Sequence, residues 1–422
     1  MILENSAVSM CSTRGFALIS SFTAGKRSVL FLLWICAFIA IPFWVRTDPA
    51  GWDLEVYRNA LNSLHAGHDP YVDGMTVQQE FHRTLAQHPN DTPPYTYVYS
   101  PMTLPLLKAV GLLPLALSGA VYWAIYIAGV LLQIGAGLFA AEKNERNFFV
   151  FLAPAAAFFP GLLVQDNILS GNIAYILYGL MLGAAVVGWR RQQWTWFYLV
   201  ALFASCCKAP LLSLLLIPVL TARRQWLPAC LTGAAGLVLF AGQPLLWPEL
   251  FRHYLQAVEL QFSYNRDFGF SVAGLFSHDF AGASYALAST VVYALYAMPV
   301  LGLLLFLARR YFAGALSLER WIPVMLVGVI LLNPRIMIYD VAPVTLPLVI
   351  ILWRFIAQRL AEVKGAILLA GLFLLANVLV AGIFTHIDVW KHVDGLLIAA
   401  VFALGAWDLL KISAPVSSTS LG

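Results

Sequence analysis

The sequence is poor in charge. Only 11% of its 422 residues are Asp, Glu, Lys or Arg, whereas a soluble domain usually carries about 25%. Hydrophobic residues make up 61%, and the mean hydropathy is +0.79. This composition argues against a soluble multi-domain protein. It predicts an all-α polytopic membrane protein in which one helical bundle accounts for the whole length.

Cysteine and the common cofactor motifs are also scarce. The five cysteines lie in the N-terminal tail or in apolar segments, at Cys11, Cys36, Cys206, Cys207 and Cys230. We therefore expect no disulfide framework and no cysteine-based metal site. The sequence has no P-loop, G-x-G-x-x-G or H-E-x-x-H motif, and the lack of a D-x-D motif argues against a nucleotide-sugar site of the soluble type. We expect no metal, no other cofactor and no nucleic-acid partner.

What the sequence does have is a series of apolar segments. A spanning helix needs about 20 apolar residues, or fewer where neighbouring helices support it. Twelve segments are predicted to span the membrane, at 28–45, 119–141, 148–164, 173–189, 194–208, 210–221, 226–243, 284–308, 321–333, 341–354, 365–384 and 395–410. The first lacks an A-x-A-like cleavage site, so we interpret it as an uncleaved signal anchor.

Basic residues orient these segments, because cytoplasmic loops carry an excess of Lys and Arg. Basic clusters occur at every second junction, at Lys26-Arg27, Lys143/Arg146, Arg190-Arg191, Arg223-Arg224, Arg309/Arg310/Arg320, Arg354/Arg359/Lys364 and Lys411. The pattern predicts cytoplasmic tails at 1–27 and 411–422 around a single transmembrane domain at 28–410. All the histidines and most of the acids then lie on the outer side.

Two outer loops are long, at 46–118 and 244–283. Each contains a helix-like pattern, at 53–66 in the first loop and at 248–262 in the second. Amphipathic segments next to membrane spans commonly lie in the membrane interface. The two loops therefore predict an outer layer of amphipathic helices above the bundle.

The first outer loop places one carboxylate on the apolar side of its predicted helix. Asp53 precedes Val56 and Tyr57 by three and four residues and shares their face. A carboxylate held there can act as a general base, although Asp is also an ordinary N-cap residue. Gly67 is expected to end the helix, and Pro70 to prevent its continuation.

The other acids of this loop have simpler interpretations. Glu55 lies on a different face and is expected to be solvated. Asp69 and Asp73 flank Pro70-Tyr71 and are expected to be turn residues.

Two cations lie at predicted outer ends of apolar segments. Lys208 could bind a lipid phosphate, or it could extend to the interface as long basic side chains do. Arg335 suits phosphate recognition because of its fork of donors. The alternative for Arg335 is an internal salt bridge with Asp340 or Asp166.

Further polar residues could contact a sugar. Asn172 lies in a short hairpin after Ser170 and Gly171, which could equally be a plain turn. His253 and Asn265 belong to the second outer loop and could contact an acceptor. The alternative for both is a solvated amphipathic face.

Five stretches carry a resemblance to a known family. They are WDLEVYRNALNSLHAGHDPY (52–71), YVYSPMTLPLL (97–107), SGNIAYILYGLMLGA (170–184), CCKAPLLSLLLIPVLTARRQW (206–226) and NPRIMIYDVAPVTLPL (333–348). Their order and spacing resemble glycosyltransferase family 87, bacterial GT-C class enzymes typified by polyprenyl-phosphate-mannose-dependent mannosyltransferases. Ser100 replaces a proline of the family pattern, and the hairpin at 170–172 lacks its usual glutamine. Arg335 and Tyr339 stand where His and Trp are common.

The resemblance implies a GT-C-like bundle that transfers a sugar, with mannose favoured, from a polyprenyl-phosphate donor to a glycolipid or glycan acceptor. The site would face the periplasmic side of a bacterial inner membrane. Asp53 matches the family's catalytic aspartate, and Lys208 or Arg335 would bind the donor phosphate. The predicted substrate-binding residues are Tyr57, Tyr99, Asn172, His253, Asn265 and Tyr339. Membrane lipid, the lipid-linked donor and the acceptor are the expected partners.

Two other functions remain open from the sequence. A transporter or flippase of a lipid-linked sugar would need intramembrane charges along a path and alternating-access repeats. We find no such repeats, and the acids gather on one predicted face. A membrane scaffold without chemistry would leave the long outer loops unexplained.

Overall fold

A computed structural model describes most of the chain. The described residues are 51–84, 94–113, 115–143, 145–146, 169–265, 271–272, 284–358 and 393–412, with the single positions 360 and 368. Within these ranges every regular element is a helix, as the composition predicts.

The α-helices follow one another along the described ranges, and they are labelled here in chain order. They are α1 Trp52–His65, α2 Pro70–Arg83, α3 Leu104–Gly111, α4 Leu115–Ala140, α5 Ile173–Arg191, α6 Thr195–Cys207, α7 Leu216–Thr221, α8 Trp226–Leu246, α9 Pro248–Asn265, α10 Ser284–Phe312, α11 Leu318–Leu331, α12 Ile338–Val341, α13 Thr345–Ala357 and α14 Val393–Lys411. Short 3₁₀ helices precede α3, α7 and α13, at Pro101–Thr103, Ala209–Leu215 and Ala342–Val344.

Several helices are suited to a membrane. Five segments of the described part are long and apolar enough to cross one, at Leu117–Ala140, Ile173–Arg191, Trp226–Leu246, Thr290–Phe312 and Tyr339–Ile356. All five coincide with predicted spans. The predicted spans 28–45, 148–164 and 365–384 lie outside the described residues. The chain therefore has the features of a membrane protein, and the total of twelve spans remains a prediction.

The core of the bundle is built around α11. Every residue from Trp321 to Leu331 is buried, so most of this helix of 14 residues is enclosed by protein. Such enclosure explains how a helix of about 21 Å, shorter than the hydrocarbon layer, is accommodated. The short predicted span 210–221 is likewise irregular, because a 3₁₀ segment precedes α7.

A second, smaller core lies among the helices of the two long loops. Tyr57 of α1 and Tyr71 of α2 are buried there. They pack with Tyr97, with Leu104 at the start of α3, and with Ala257 of α9. The Gln78 side chain of α2 donates a hydrogen bond from Nε2 to Oε1 of Gln261 on α9 at 3.0 Å. The two loops thus form one packed layer, and the predicted helices 53–66 and 248–262 appear as α1 and α9.

Helix α2 corrects the expectation that Asp69 and Asp73 are turn residues. Asp69 is the N-cap of α2, since its carboxylate accepts from the Tyr71 and Val72 amides at 2.8 and 3.3 Å. Pro70 occupies the first helical turn, where its missing N–H costs nothing. The proline therefore stops α1 from continuing and also begins the next helix, and Asp73 lies inside that helix.

Contacts bring several of the basic clusters to one end of the bundle. Arg354 and Glu145 form a bidentate ion pair at 2.5 and 2.8 Å. Arg320 pairs with Glu142 at 3.0 Å, and Arg310 donates to the last carbonyls of α14. The positive-inside rule predicts that this end faces the cytoplasm.

The tightest helix crossing joins α4 and α5. A Cβ added at Gly179 would lie 2.5 Å from the Cα of Gly129, so the two backbones touch where both residues lack a side chain.

We predict that Gly179→Ala destabilises the protein by about 1–3 kcal/mol, because α4 and α5 must separate to admit the methyl group. Thermal unfolding of detergent-solubilised protein measures the effect. Gly135→Ala on α4 is the matched control, since its Cβ meets nothing within 4 Å. Equal melting temperatures for the two variants would contradict the close crossing.

Candidate functional site

The first residues of α1 show whether Asp53 caps this helix. The N-cap is Gly51, in a left-handed conformation with φ of 85°, and no side chain caps the helix. Asp53 is the second helical residue, and its carboxylate bonds to another segment. The alternative that Asp53 serves as the N-cap is therefore wrong, and its side chain is available for another role.

The loop before α5 is bound to this helix start. Gly51 donates its amide to the Leu169 carbonyl at 2.7 Å, and Asp53 donates its amide to the Ser170 carbonyl at 2.9 Å. Both N–H groups lie where a helix offers no internal acceptor. The loop therefore satisfies the donors that α1 leaves open and fixes Asp53 against α5.

The carboxylate of Asp53 is held by Asn172, the N-cap of α5. The side-chain Nδ2 of Asn172 donates to Asp53 Oδ2 at 3.2 Å, while Asn172 Oδ1 accepts from the backbone N–H of Ala174 at 2.9 Å. Burial raises the pKa of Asp53 from 3.8 to about 6, against the lowering effects of hydrogen bonds from Asn172 and Ser170 and of the nearby Lys208 charge.

Tyrosines surround Asp53 and tie the outer layer to the bundle. The Tyr57 hydroxyl accepts the Ile173 amide at 3.0 Å and shares a 2.8 Å hydrogen bond with the Tyr99 hydroxyl. Tyr122, which the sequence analysis missed, donates to the Gly171 carbonyl. Predicted substrate-binding residues Tyr57 and Tyr99 therefore lie at the site, with their hydroxyls bonded to each other.

Lys208 lies between α6 and the following 3₁₀ helix, and it is neither free nor extended to the interface. Its Nζ is 2.8 Å from Asp340 Oδ1, and the side chains are 18% and 4% exposed. Tyr178 donates to the same oxygen at 2.9 Å, and the Met337 amide donates to Oδ2 at 2.9 Å. Asp340 is thus the buried anchor of Lys208.

Tyr339 and Arg335 are near the same cation. Lys208 Nζ lies 4.0 Å from the centroid of the Tyr339 ring, a cation–π distance. Arg335 is close enough for its charge to act on Lys208, as is Asp53. The structure therefore gathers Asp53, Lys208, Arg335 and Tyr339, from three distant parts of the sequence, into one cluster of charged and aromatic groups.

His253 has a different setting. Its Nδ1 lies 2.7 Å from Asp69 Oδ2, which joins α9 to the start of α2. Asn265 is the last residue of α9, and its side chain lies outside the described set. The contacts of His253 are thus with the outer layer, where they support α2.

An apolar cavity of about 130 Å³ adjoins the tyrosines. Its lining comes mainly from α1, α3 and α4 and from the segment before α3, and it includes Tyr57, Tyr99, Tyr122, Leu106, Leu107 and Val110. Asp53 is not among its lining residues. The cavity offers hydrocarbon contact next to the hydroxyls that surround Asp53.

In the described ranges, no group of three or more His, Cys, Asp or Glu side chains is placed to hold a metal ion. Comparison of the chain with protein-family models, curated proteins and solved structures gives no match. The site must therefore be judged on its geometry.

We predict that Asp53→Asn stabilises the protein increasingly as the pH rises from 4 to 7. Because the folded-state pKa is raised to about 6, the wild-type carboxyl favours folding below pH 3.8 and loses that advantage as it ionises through pH 6. The gain of the uncharged variant should reach roughly 1–3 kcal/mol. Thermal unfolding across this pH range measures it.

Glu55→Gln is the matched control, because Glu55 is exposed on the same helix, and it should give no comparable gain. A gain for Asp53→Asn that is independent of pH would show that Asp53 ionises as freely as a surface carboxylate.

Proposed function

We propose that this protein is a membrane glycosyltransferase that moves a sugar from a polyprenyl-phosphate donor to a glycan or glycolipid acceptor on the outer face of the membrane. Mannose is the favoured sugar by the sequence resemblance. The observation that carries the proposal is the placement of a partly buried Asp53, held by Asn172 at 3.2 Å, within reach of the charge of Lys208.

Asp53 has the properties of a general base. Its pKa of about 6 lies near neutral pH, where a base is ionised for most of the time and still binds a proton with useful affinity. Burial supplies this value, and the fixed hydrogen bonds from Asn172 and Ser170 keep it from rising further. A solvated carboxylate near pKa 4 would be a weaker base.

We assign Lys208 to the phosphate group of the donor. Its ammonium rests on Asp340 and the Tyr339 ring, and 18% of the side chain is exposed. The neighbouring Arg335 adds a second positive charge close to Lys208. A fixed cation stabilises charge as it develops on a departing phosphate.

The apolar cavity supports a lipid-linked donor. Leu106, Val110, Leu117 and Val121 of α3 and α4 are exposed large hydrophobic residues, and two of them line the cavity itself. A polyprenyl chain can lie along such a surface from the bilayer, so that its phosphate ends near the tyrosines.

The proposed step is a single displacement. The acceptor hydroxyl gives its proton to Asp53, and its oxygen forms a bond to the anomeric carbon. The bond between that carbon and the phosphate oxygen breaks, and its electron pair leaves with the polyprenyl phosphate. Attack from the side opposite the leaving group inverts the anomeric centre. Fixed cations can stabilise this leaving group, which carries one phosphate, without a metal ion.

We expect Asp53→Asn and Asp53→Ala to lower the transfer rate by at least about 100-fold, the usual contribution of a general base. Transfer of radiolabelled sugar from a polyprenyl-phosphate donor, with purified folded protein, measures the rate. In the wild type, kcat/KM should rise with pH around a midpoint near 6, as Asp53 ionises. Glu55→Gln should transfer normally. Near-normal transfer by Asp53→Asn would refute the general-base role.

The role of Lys208 requires a variant that folds, because removal of Lys208 alone would leave the buried Asp340 unpaired. We predict that the double variant Lys208→Met with Asp340→Asn remains folded and loses roughly 100-fold in kcat/KM for the donor. The matched control is the ion pair at the other end of the bundle, replaced as Arg320→Met with Glu142→Gln. Donor kinetics that match the wild type would exclude Lys208 as the phosphate site.

A further inference from the structure

We propose that Asn172 is a positioning residue, which holds the Asp53 carboxylate in the orientation from which it accepts the proton of the acceptor. This role differs from the direct sugar contact expected from the sequence, and it rests on the proposed function. Asn172 is 3% exposed, so its amide is enclosed by protein.

The helix cap fixes the direction of the Asn172 amide. Its Oδ1 accepts from the Ala174 N–H at 2.9 Å, so its Nδ2 must point the other way, toward Asp53 Oδ2 at 3.2 Å. The flipped amide would set a donor against the Ala174 N–H and an oxygen against the carboxylate. Both contacts therefore favour the same orientation, and the start of α5 determines where the hydrogen bond to Asp53 is directed.

The backbone limits movement on both sides of this contact. Asn172 donates its own amide to the Ser170 hydroxyl at 3.0 Å, and the Ser170 carbonyl accepts the Asp53 amide at 2.9 Å. Asp53 and Asn172 are thus joined by main chain as well as by side chain. The carboxylate has little freedom to rotate, which is what a base aimed at one hydroxyl requires.

Other groups that act on Asp53 must be separated from Asn172 in any test. Lys208 favours the charged carboxylate, and Ser170 donates a second hydrogen bond. Tyrosines from α1, α4, α5 and the segment before α3 also interact with the Asp53 charge, namely Tyr57, Tyr99, Tyr122, Tyr126 and Tyr175. The variants below leave all of these groups in place.

The Asn172→Asp variant tests the hydrogen bond to Asp53 separately from the capping of α5. Asp is as good an N-cap as Asn, so α5 should begin normally, while the hydrogen-bond donor is replaced by a second carboxylate. Two carboxylates at this distance share a proton. We expect the pH midpoint of kcat/KM to move alkaline by at least about one unit. Asn172→Ser caps the helix and replaces the amide N–H donor with a shorter hydroxyl, so it should shift the midpoint in the same direction by less.

A thermal measurement gives a readout that does not depend on transfer. At pH 8, Asp53→Asn should raise the melting temperature more in the Asn172→Asp background than in the wild type, because it removes the repulsion between two carboxylates. Ser317→Asp is the matched control. Ser317 caps α11 at its N-terminus, and its replacement should leave both the pH midpoint and this coupling unchanged.

The possible outcomes are distinct. An alkaline shift with thermal coupling supports the proposal. Loss of transfer in the Asn172 variants at an unchanged pH midpoint would overturn it, because a residue that only supports the fold lowers activity equally at every pH. If neither the wild type nor any variant transfers sugar, the proposed function is overturned even where the thermal coupling is found. The positioning role is then overturned with it.

Discussion

The hydrogen bonds between the start of α1 and the loop at 169–172 are the constraint on which the site depends. The first amides of a helix have no internal acceptors, and here two of them, from Gly51 and Asp53, are satisfied by loop carbonyls. The same loop supplies Asn172, which caps α5 and holds the Asp53 carboxylate. One short segment therefore joins the helices of the two long loops to the bundle and holds the partly buried Asp53 carboxyl in place.

This arrangement brings the Asp53 carboxyl and the Lys208 ammonium into the same partly enclosed site. Asp53 is uncompensated by a direct ion pair among its described contacts, and burial raises its pKa to about 6. Lys208 is bound to Asp340, which is almost fully buried. The structure thus combines a carboxyl that readily accepts a proton with a cation that stays in place. Folding is opposed by the burial of Asp53, and such a cost is common where chemistry requires a perturbed group.

Some of this could be predicted from the sequence and some could not. The apolar face of Val56 and Tyr57 was sufficient to place α1 and the side of Asp53, because helical periodicity is local. The start of α2 was missed, since Asp69-Pro70 can end one helix or begin another. The pairing of Lys208 with Asp340 spans 132 positions, and no local pattern reports it. A salt bridge between Asp340 and Arg335 was one alternative from the sequence, and a pairing of Asp340 with Lys208 was not foreseen.

The stereochemistry of transfer tests the central claim most directly. Purified wild-type protein would be incubated with a panel of polyprenyl-phosphate sugars of defined anomeric configuration, and lipid-phosphate release would be measured together with the anomeric configuration of the product by NMR. The account predicts release from one member of the panel, the mannose donor by resemblance, with inversion at the anomeric carbon. Retention of configuration, or no release from any donor, would contradict it.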